Sequence, residues 1–393
     1  METVPDSPAP LTIEPAPSPF LTADHLAFRD TMRRFVAREI EPFADSWDEE
    51  GGFPRRLYER AADVGLLQLG FPAAYGGVEA DPFYGIIAAQ ELARAGSGGV
   101  AASLLSHTIG LPPVALAGSE ALKQRVLPEV LAGRRIAALA ITEPGCGSDV
   151  AAIATTARRD GEDYIVNGSK TFITSGMRAD YITVAVRTGG EGRGGISLLL
   201  LEAGMPGFSR TELRKMGWWA SDTATLYFDA VRVPAANLIG RENDGFRLIM
   251  HNFNRERLGM AAGCIGSARL CLEETVNYAR TRRTFGRPLI GHQVVRHKLA
   301  DMAMRIEASQ AYLEQLAWQV MQGENPVASI CLLKNQATLT LEFCAREAVQ
   351  TFGGAGYVRG AKVERVYREV RVNAIGGGAE EIMRELAARQ MGW

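Results

Sequence analysis

Residues 136–233 alternate short β-branched and aromatic runs with glycine, asparagine and proline, and helix-patterned sequence lies on both sides of them. The segment therefore reads as a β domain inserted between two helical ones. Ile136–Ile141 is a short apolar run. Tyr164-Ile-Val166 and Thr171-Phe-Ile173 flank Asn167-Gly168, two residues that tolerate the positive φ of a two-residue turn, so a hairpin is expected there. Tyr181–Val186, Ile196–Leu201 and Thr225–Val233 continue the pattern, and Pro234 ends the last run.

The flanks carry helical spacing. Thr22 can cap a helix whose face holds Phe28, Met32, Phe35, Val36, Ile40 and Phe43, with Pro42 as a bend or stop. Helical sequence continues to about residue 135, broken at Gly51-Gly52, at Pro72–Gly77 and at Pro112-Pro113. From Gly245 onward Leu299, Met302, Ile306, Leu313, Leu316 and Val320 trace the seam of a long bundle helix. Asn325-Pro326 offers a cap and first-turn proline for the next one. The fold class is α+β, mainly α. Its expected parts are a disordered proline-rich tail (1–20), an N-terminal helical domain (21–135), a middle β domain (136–244) and a C-terminal four-helix bundle (245–393).

Charge and composition remove several classes of function. With a net charge of −2 over 393 residues, the chain lacks the basic face of a nucleic-acid binder. No apolar run is long enough to cross a bilayer, so no integral membrane segment is expected. Residues 1–20 have neither the basic start nor the apolar core of a signal peptide. Five cysteines, with no Cys-x-x-Cys pair, indicate free thiols in a reducing compartment, the cytoplasm. The scattered histidines show no metal-ligand spacing.

Several loops carry chemistry. Leu139-Ala-Ile-Thr-Glu-Pro-Gly-Cys-Gly-Ser148 leaves a strand for a segment rich in backbone N–H groups and hydroxyls, suited to a flat polar ligand or to an ordinary surface turn. Phe172-Ile-Thr174 can set an aromatic ring and a hydroxyl against the same ligand. Arg282-Arg-Thr-Phe-Gly286, with Arg280 and Arg287 around it, gathers forked donors that suit a pyrophosphate, or form a solvated basic turn. His292-Gln293 follow with hydrogen-bonding capacity. Gln350-Thr-Phe-Gly-Gly354 puts two glycines at a helix end. No Gly-x-Gly-x-x-Gly follows a strand, so a Rossmann site is not supported.

Six segments, in order and over nearly the whole chain, resemble the acyl-CoA dehydrogenase family. They are Pro72-Ala-Ala-Tyr-Gly-Gly77, Ile141-Thr-Glu-Pro-Gly-Cys-Gly-Ser-Asp149, Asn167-Gly-Ser-Lys-Thr-Phe-Ile-Thr174, Lys215-Met-Gly-Trp-Trp219, Arg282–Gly286 and Gln350-Thr-Phe-Gly-Gly-Ala-Gly356. The resemblance implies the family's three-domain fold, a homotetramer, an acyl-CoA substrate, bound FAD and an electron-transfer flavoprotein as acceptor. It puts the isoalloxazine against Leu139, Ile141, Thr142, Gly147 and Ser148, with Phe172 and Thr174. The adenosine pyrophosphate would meet Arg282 and Gln350, Gly353 and Gly354 from two different subunits. Thr284, Phe285, His292, Gln293, Ala379 and Glu381 complete the cofactor set. Ser148 would also touch the CoA arm, and Asn254, Arg257 and Gly378 would line the acyl-CoA site. Asn254 stands where an aspartate is often found.

The implied reaction moves a β-hydride to the flavin while a base takes the α-proton, a task for a carboxylate whose pKa burial has raised. In many members that base is a glutamate just before the last helix. The matching position here, in Ile375-Gly-Gly-Gly-Ala-Glu-Glu-Ile-Met383, is Gly377, which has no side chain to act as one. A subset resembling isovaleryl-CoA and long-chain acyl-CoA dehydrogenases carries the glutamate on a helix of the C-terminal domain, matching Glu256 in Phe253-Asn-Arg-Glu-Arg-Leu258. Glu256 is therefore assigned as the base, against the alternative of a helix glutamate paired with Arg255 or Arg257. Glu380 and Glu381 fall in the first turn of the final helix, where acidic residues favour the macrodipole. Gly377 keeps its N–H, which in the family binds the thioester oxygen. Two other functions share the fold: a flavin oxidase or monooxygenase, and a non-catalytic acyl-CoA-binding relative.

Overall fold

The computed structural model describes residues 9–393. The strand-patterned region forms one eight-stranded sheet: β1 (Ala137–Ala140), β2 (Thr156–Asp160), β3 (Asp163–Thr174), β4 (Tyr181–Arg187), β5 (Ile196–Glu202), β6 (Phe208–Glu212), β7 (Thr223–Pro234) and β8 (Leu238–Ile239). The order is β6-β7-β3-β2-β4-β5-β8, and β1 lies parallel to β4. β4 and β5 run antiparallel from Tyr181 opposite Glu202 to Arg187 opposite Ile196. Tyr181–Val186 and Ile196–Leu201 are buried throughout, because continuous apolar strands need cover on both faces.

Asn167-Gly168 is not a hairpin turn. β3 runs unbroken through it, and the turn before β3 is made at Gly161, with φ 61°. Val166 pairs with Val231 and Gly168 with Phe228, so β7 carries an extra residue here, a β-bulge. The Oδ1 of Asn167 accepts from the N–H of Ala230 inside that bulge (2.9 Å). A bulge and a tight hairpin both recruit residues that tolerate positive φ, which is why the dipeptide suggested the wrong one.

The chain divides into two compact units: Arg38–Gly85 with Gly99–Arg257, and Met1–Ala37 with Ile86–Gly98 and Leu258–Trp393. The first holds the sheet. The second holds the helices Gln293–Met321, Val327–Phe352 and Glu380–Gln390, and the helix Gly245–Thr281 contributes residues to both units. In Gln293–Met321 the expected seam is buried at Leu299, Met302, Ile306, Leu313 and Leu316. Thr22 caps its helix as expected, its hydroxyl accepting from the His25 N–H (3.4 Å). That helix stops at Glu39, and Phe43, beyond Pro42, is exposed instead of joining the buried face.

The proline-rich segment expected to be disordered is fastened where it is described. Leu11 exchanges two hydrogen bonds with the Asn277 amide (2.7 and 2.9 Å), and the Ile13 N–H donates to Glu273 (2.9 Å). Glu14 takes both Arg33 nitrogens (2.8 and 3.0 Å). Proline leaves an extended backbone whose remaining N–H and C=O groups are open to side-chain partners, and composition does not reveal those partners. Residues 1–8 lie outside the described region.

Candidate active site

β1 ends in the loop Ile141–Thr155, and a buried ion pair shapes it. Lys170, with 0% of its surface exposed, donates to Glu143 (2.7 Å) and to the Ile141 carbonyl (2.8 Å). Glu143 also accepts from the N–H groups of Ala154 (2.7 Å) and Thr155 (2.9 Å). Burial pushes the Lys170 ammonium down to about 8, against the pull of Glu143. Burial would raise Glu143, but Lys170 and the Thr155 contact outweigh it and hold the carboxyl below its ordinary 4.5. Both are charged at neutral pH, and both ends of the loop are tied to one point. Neither residue was singled out from the sequence.

The same strand presents the aromatic group. Lys170 pairs with Leu226 and Ile173 with Ala224, so three steps on β3 face two on β7, and Phe172 sits in this second bulge at φ 60°. A bulky residue at positive φ is strained, and bulges re-aim side chains beside functional sites. The Phe172 ring is 69% exposed. The Thr171 N–H donates to the Thr142 carbonyl (2.8 Å), which brings Phe172 and Thr174 to the Thr142–Ser148 loop. The hydroxyls of Thr142, Ser148 and Thr174 make no hydrogen bond to any described residue. Leu139 and Ile141 lead into this loop, and Gly147 meets only the Thr142 methyl carbon at 3.6 Å where a Cβ would stand. After Thr174 the chain turns on Asp222, whose carboxylate accepts from the Met177 N–H (2.7 Å) and whose carbonyl accepts from Ser175 (3.0 Å). Burial raises the Asp222 pKa.

Glu256 lies in the first part of the Gly245–Thr281 helix, and one of its carboxylate oxygens is sequestered from solvent. Its neighbours have other contacts. The Arg255 guanidinium rests on the Gly70 carbonyl (3.4 Å), where any Cβ on Gly70 would meet it at 1.8 Å. Buried Arg257 donates to Asn254 (3.2 Å) and stacks over Phe253 (5.5 Å).

In the other unit, Arg283-Thr284 and Arg287-Pro288 form a small hairpin turned at Phe285-Gly286, with φ 49° and 77°. The Phe285 ring is 96% exposed and lies edge-on to His292 at 6.1 Å. His292 also bridges Thr284 (3.3 Å) and Arg287 (3.1 Å), and Gln293 starts the next helix. Arg282 is exposed, and its N–H is bonded to the Tyr278 carbonyl (2.8 Å). Tyr278 in turn stacks on Phe352 at 4.2 Å, in the Gln350–Gly354 segment. At the last helix, Ala379 is the N-cap and Glu381 is exposed. Glu380 is held by Arg384 (2.7 Å), a structural role.

Models of the acyl-CoA dehydrogenase N-terminal, middle and C-terminal domains match residues 22–134, 138–231 and 243–392. The chain belongs to the acyl-CoA dehydrogenase family. It is 37% identical to the mitochondrial long-chain specific acyl-CoA dehydrogenase of Rattus norvegicus, over 94% of this chain and 87% of that protein. A putative acyl-CoA dehydrogenase from Mycobacterium smegmatis superposes with a TM-score of 0.94 at 46% identity, covering 95% of this chain and 99% of that one. A glutaryl-CoA dehydrogenase from the same organism, in complex with FADH2, gives a TM-score of 0.89 at 29% identity, covering 94% and 95%.

Proposed function

We propose that the chain is an FAD-dependent acyl-CoA dehydrogenase that converts an acyl-CoA thioester to the trans-2-enoyl-CoA, with Glu256 as the base. The observation that carries this reading is a helix carboxylate with one oxygen sequestered from solvent, in a chain that has glycine at 377. FAD, when bound, accepts the β-hydride. The donor set fits it. The exposed Phe172 ring offers a wall to a flat heteroaromatic, Thr142, Ser148 and Thr174 offer hydroxyls, and the Arg282 guanidinium suits a pyrophosphate. Glu256 takes the α-proton as the C–H electron pair moves toward the thioester oxygen. The Gly377 N–H receives the charge developing there, and losing one such donor costs about 3 kcal/mol. Asn254, Arg257 and Gly378 line the acyl-CoA site. Electrons leave to an electron-transfer flavoprotein, and the enzyme works as a homotetramer. Five buried, free cysteines are compatible with a cytoplasmic setting; among the described residues no single helix is long and apolar enough to cross a membrane.

Glu256→Gln tests the assignment. The amide keeps shape and some hydrogen bonding but accepts no proton, so flavin content and acyl-CoA affinity should persist. Anaerobic flavin bleaching by acyl-CoA should slow about a hundred- to ten-thousand-fold. Bleaching at the parental rate would move the base to Glu380 or Glu381.

A further inference from the structure

Lys334 lies on the Val327–Phe352 helix, on the same face as Ile330, Ala337 and Leu341, and 0% of its surface is exposed. A lysine is almost never enclosed unless its ammonium is bound, because burying the charge costs several kcal/mol. Its Nζ donates to the Gly378 carbonyl at 2.8 Å. That carbonyl belongs to Gly376-Gly377-Gly378, in which Gly377 and Gly378 stand at φ 65° and 105°. The Gly376 N–H is bonded to the Val372 carbonyl (2.7 Å), and the neighbouring Asn335 amide donates to the Glu380 carbonyl (2.9 Å). Three consecutive glycines form the tripeptide with the most backbone freedom to lose. Catalytic donors lower a barrier only when they are already aimed.

We propose that Lys334 is a positioning residue: by gripping Gly378 from within the helical unit, it fixes the direction of the Gly377 N–H toward the thioester oxygen. This rests on the function proposed above and goes beyond it in naming what holds the donor. Glycine at 377 removes the side chain that could have anchored the loop by packing, so the anchor comes from behind.

The test uses the FAD-loaded enzyme and an acyl-CoA analogue with sulfur at the β position. With no β-hydride to give, this ligand can only lose its α-proton to the base, place the electron pair on the thioester oxygen, and regain a deuteron from D2O. Mass spectrometry counts the α-deuterium. In Lys334→Met the exchange should slow at least ~tenfold, with FAD content unchanged and ligand affinity within about threefold. Lys334→Gln, which keeps a neutral donor, should recover part of the rate. Parental α-deuteration in Lys334→Met would overturn the proposal, as would equal losses of rate and affinity. If the parent itself incorporates no α-deuterium, the dehydrogenase reading fails and this proposal falls with it.

Discussion

The β3 bulge and the Arg283–Pro288 hairpin each present a phenylalanine from strained backbone, Phe172 at φ 60° and Phe285 at φ 49°. They are held in different ways. Behind Phe172 stand the enclosed Lys170, the Glu143 contacts and the Asp222 turn, so the chain alone specifies its geometry. Phe285 caps a two-residue turn with its ring almost wholly in solvent, edge-on to His292. Strain persists where something offsets it. For Phe172 that is the surrounding fold; the exposed Phe285 ring has little of it.

The largest expected effect comes from breaking the brace. Glu143→Gln leaves Lys170 enclosed without its counter-charge and should destabilise the protein by about 3–5 kcal/mol, measured by urea unfolding, with loss of flavin. A loss below about 1 kcal/mol would show that the loop does not depend on the pair.

Acid should separate the two regions next. His107, buried with a ring nitrogen 3.0 Å from the Leu67 carbonyl, is pushed by burial from 6.5 to about 4. Its neighbour Ser106 bonds the Ala137 carbonyl of β1 (2.9 Å), so this helical turn backs the braced loop. Because the folded pKa is the lower one, the unfolded chain holds the extra proton between these values. Stability is complete above pH 6.5 and falls as pH drops toward 4, by roughly 3 kcal/mol from this residue at the limit. Hydrogen exchange of β1 should accelerate over that window in the parent and less in His107→Gln. An identical slope in both would acquit the histidine.

The smallest effect is a gain. Phe285→Gly removes the φ strain and forfeits almost no packing, so the protein without FAD should gain up to ~1 kcal/mol while retaining FAD less well. A lower melting temperature would mean that the ring is packed in the assembled protein even without cofactor.

Helical seams such as Leu299–Leu316 were legible because burial there follows a local period. So was the shift from helix to strand near residue 136. Loops suited to a cofactor could be proposed from their motifs and the family resemblance, but not what shapes them. Glu143 and Lys170 are 27 residues apart and meet only across the sheet. The available hint was a lysine inside a strand, as Lys334 is the lone charge on a helix face of Ile330, Ala337 and Leu341. A charge out of pattern points to a partner without naming it.

The strip at residues 9–14 has a further consequence, for the order of events during synthesis. Leu11 and Ile13 are bound by side chains 266 and 260 residues further along. At ribosomal speeds of about 5–20 residues per second, those partners emerge roughly ten to fifty seconds later. Throughout that interval Glu14 can already meet Arg33, but the backbone of Leu11 and Ile13 stays open to proteases and chaperones. Leu11 and Ile13 become protected only when the Gly245–Thr281 helix has been made, so their protection marks a chain made past residue 277.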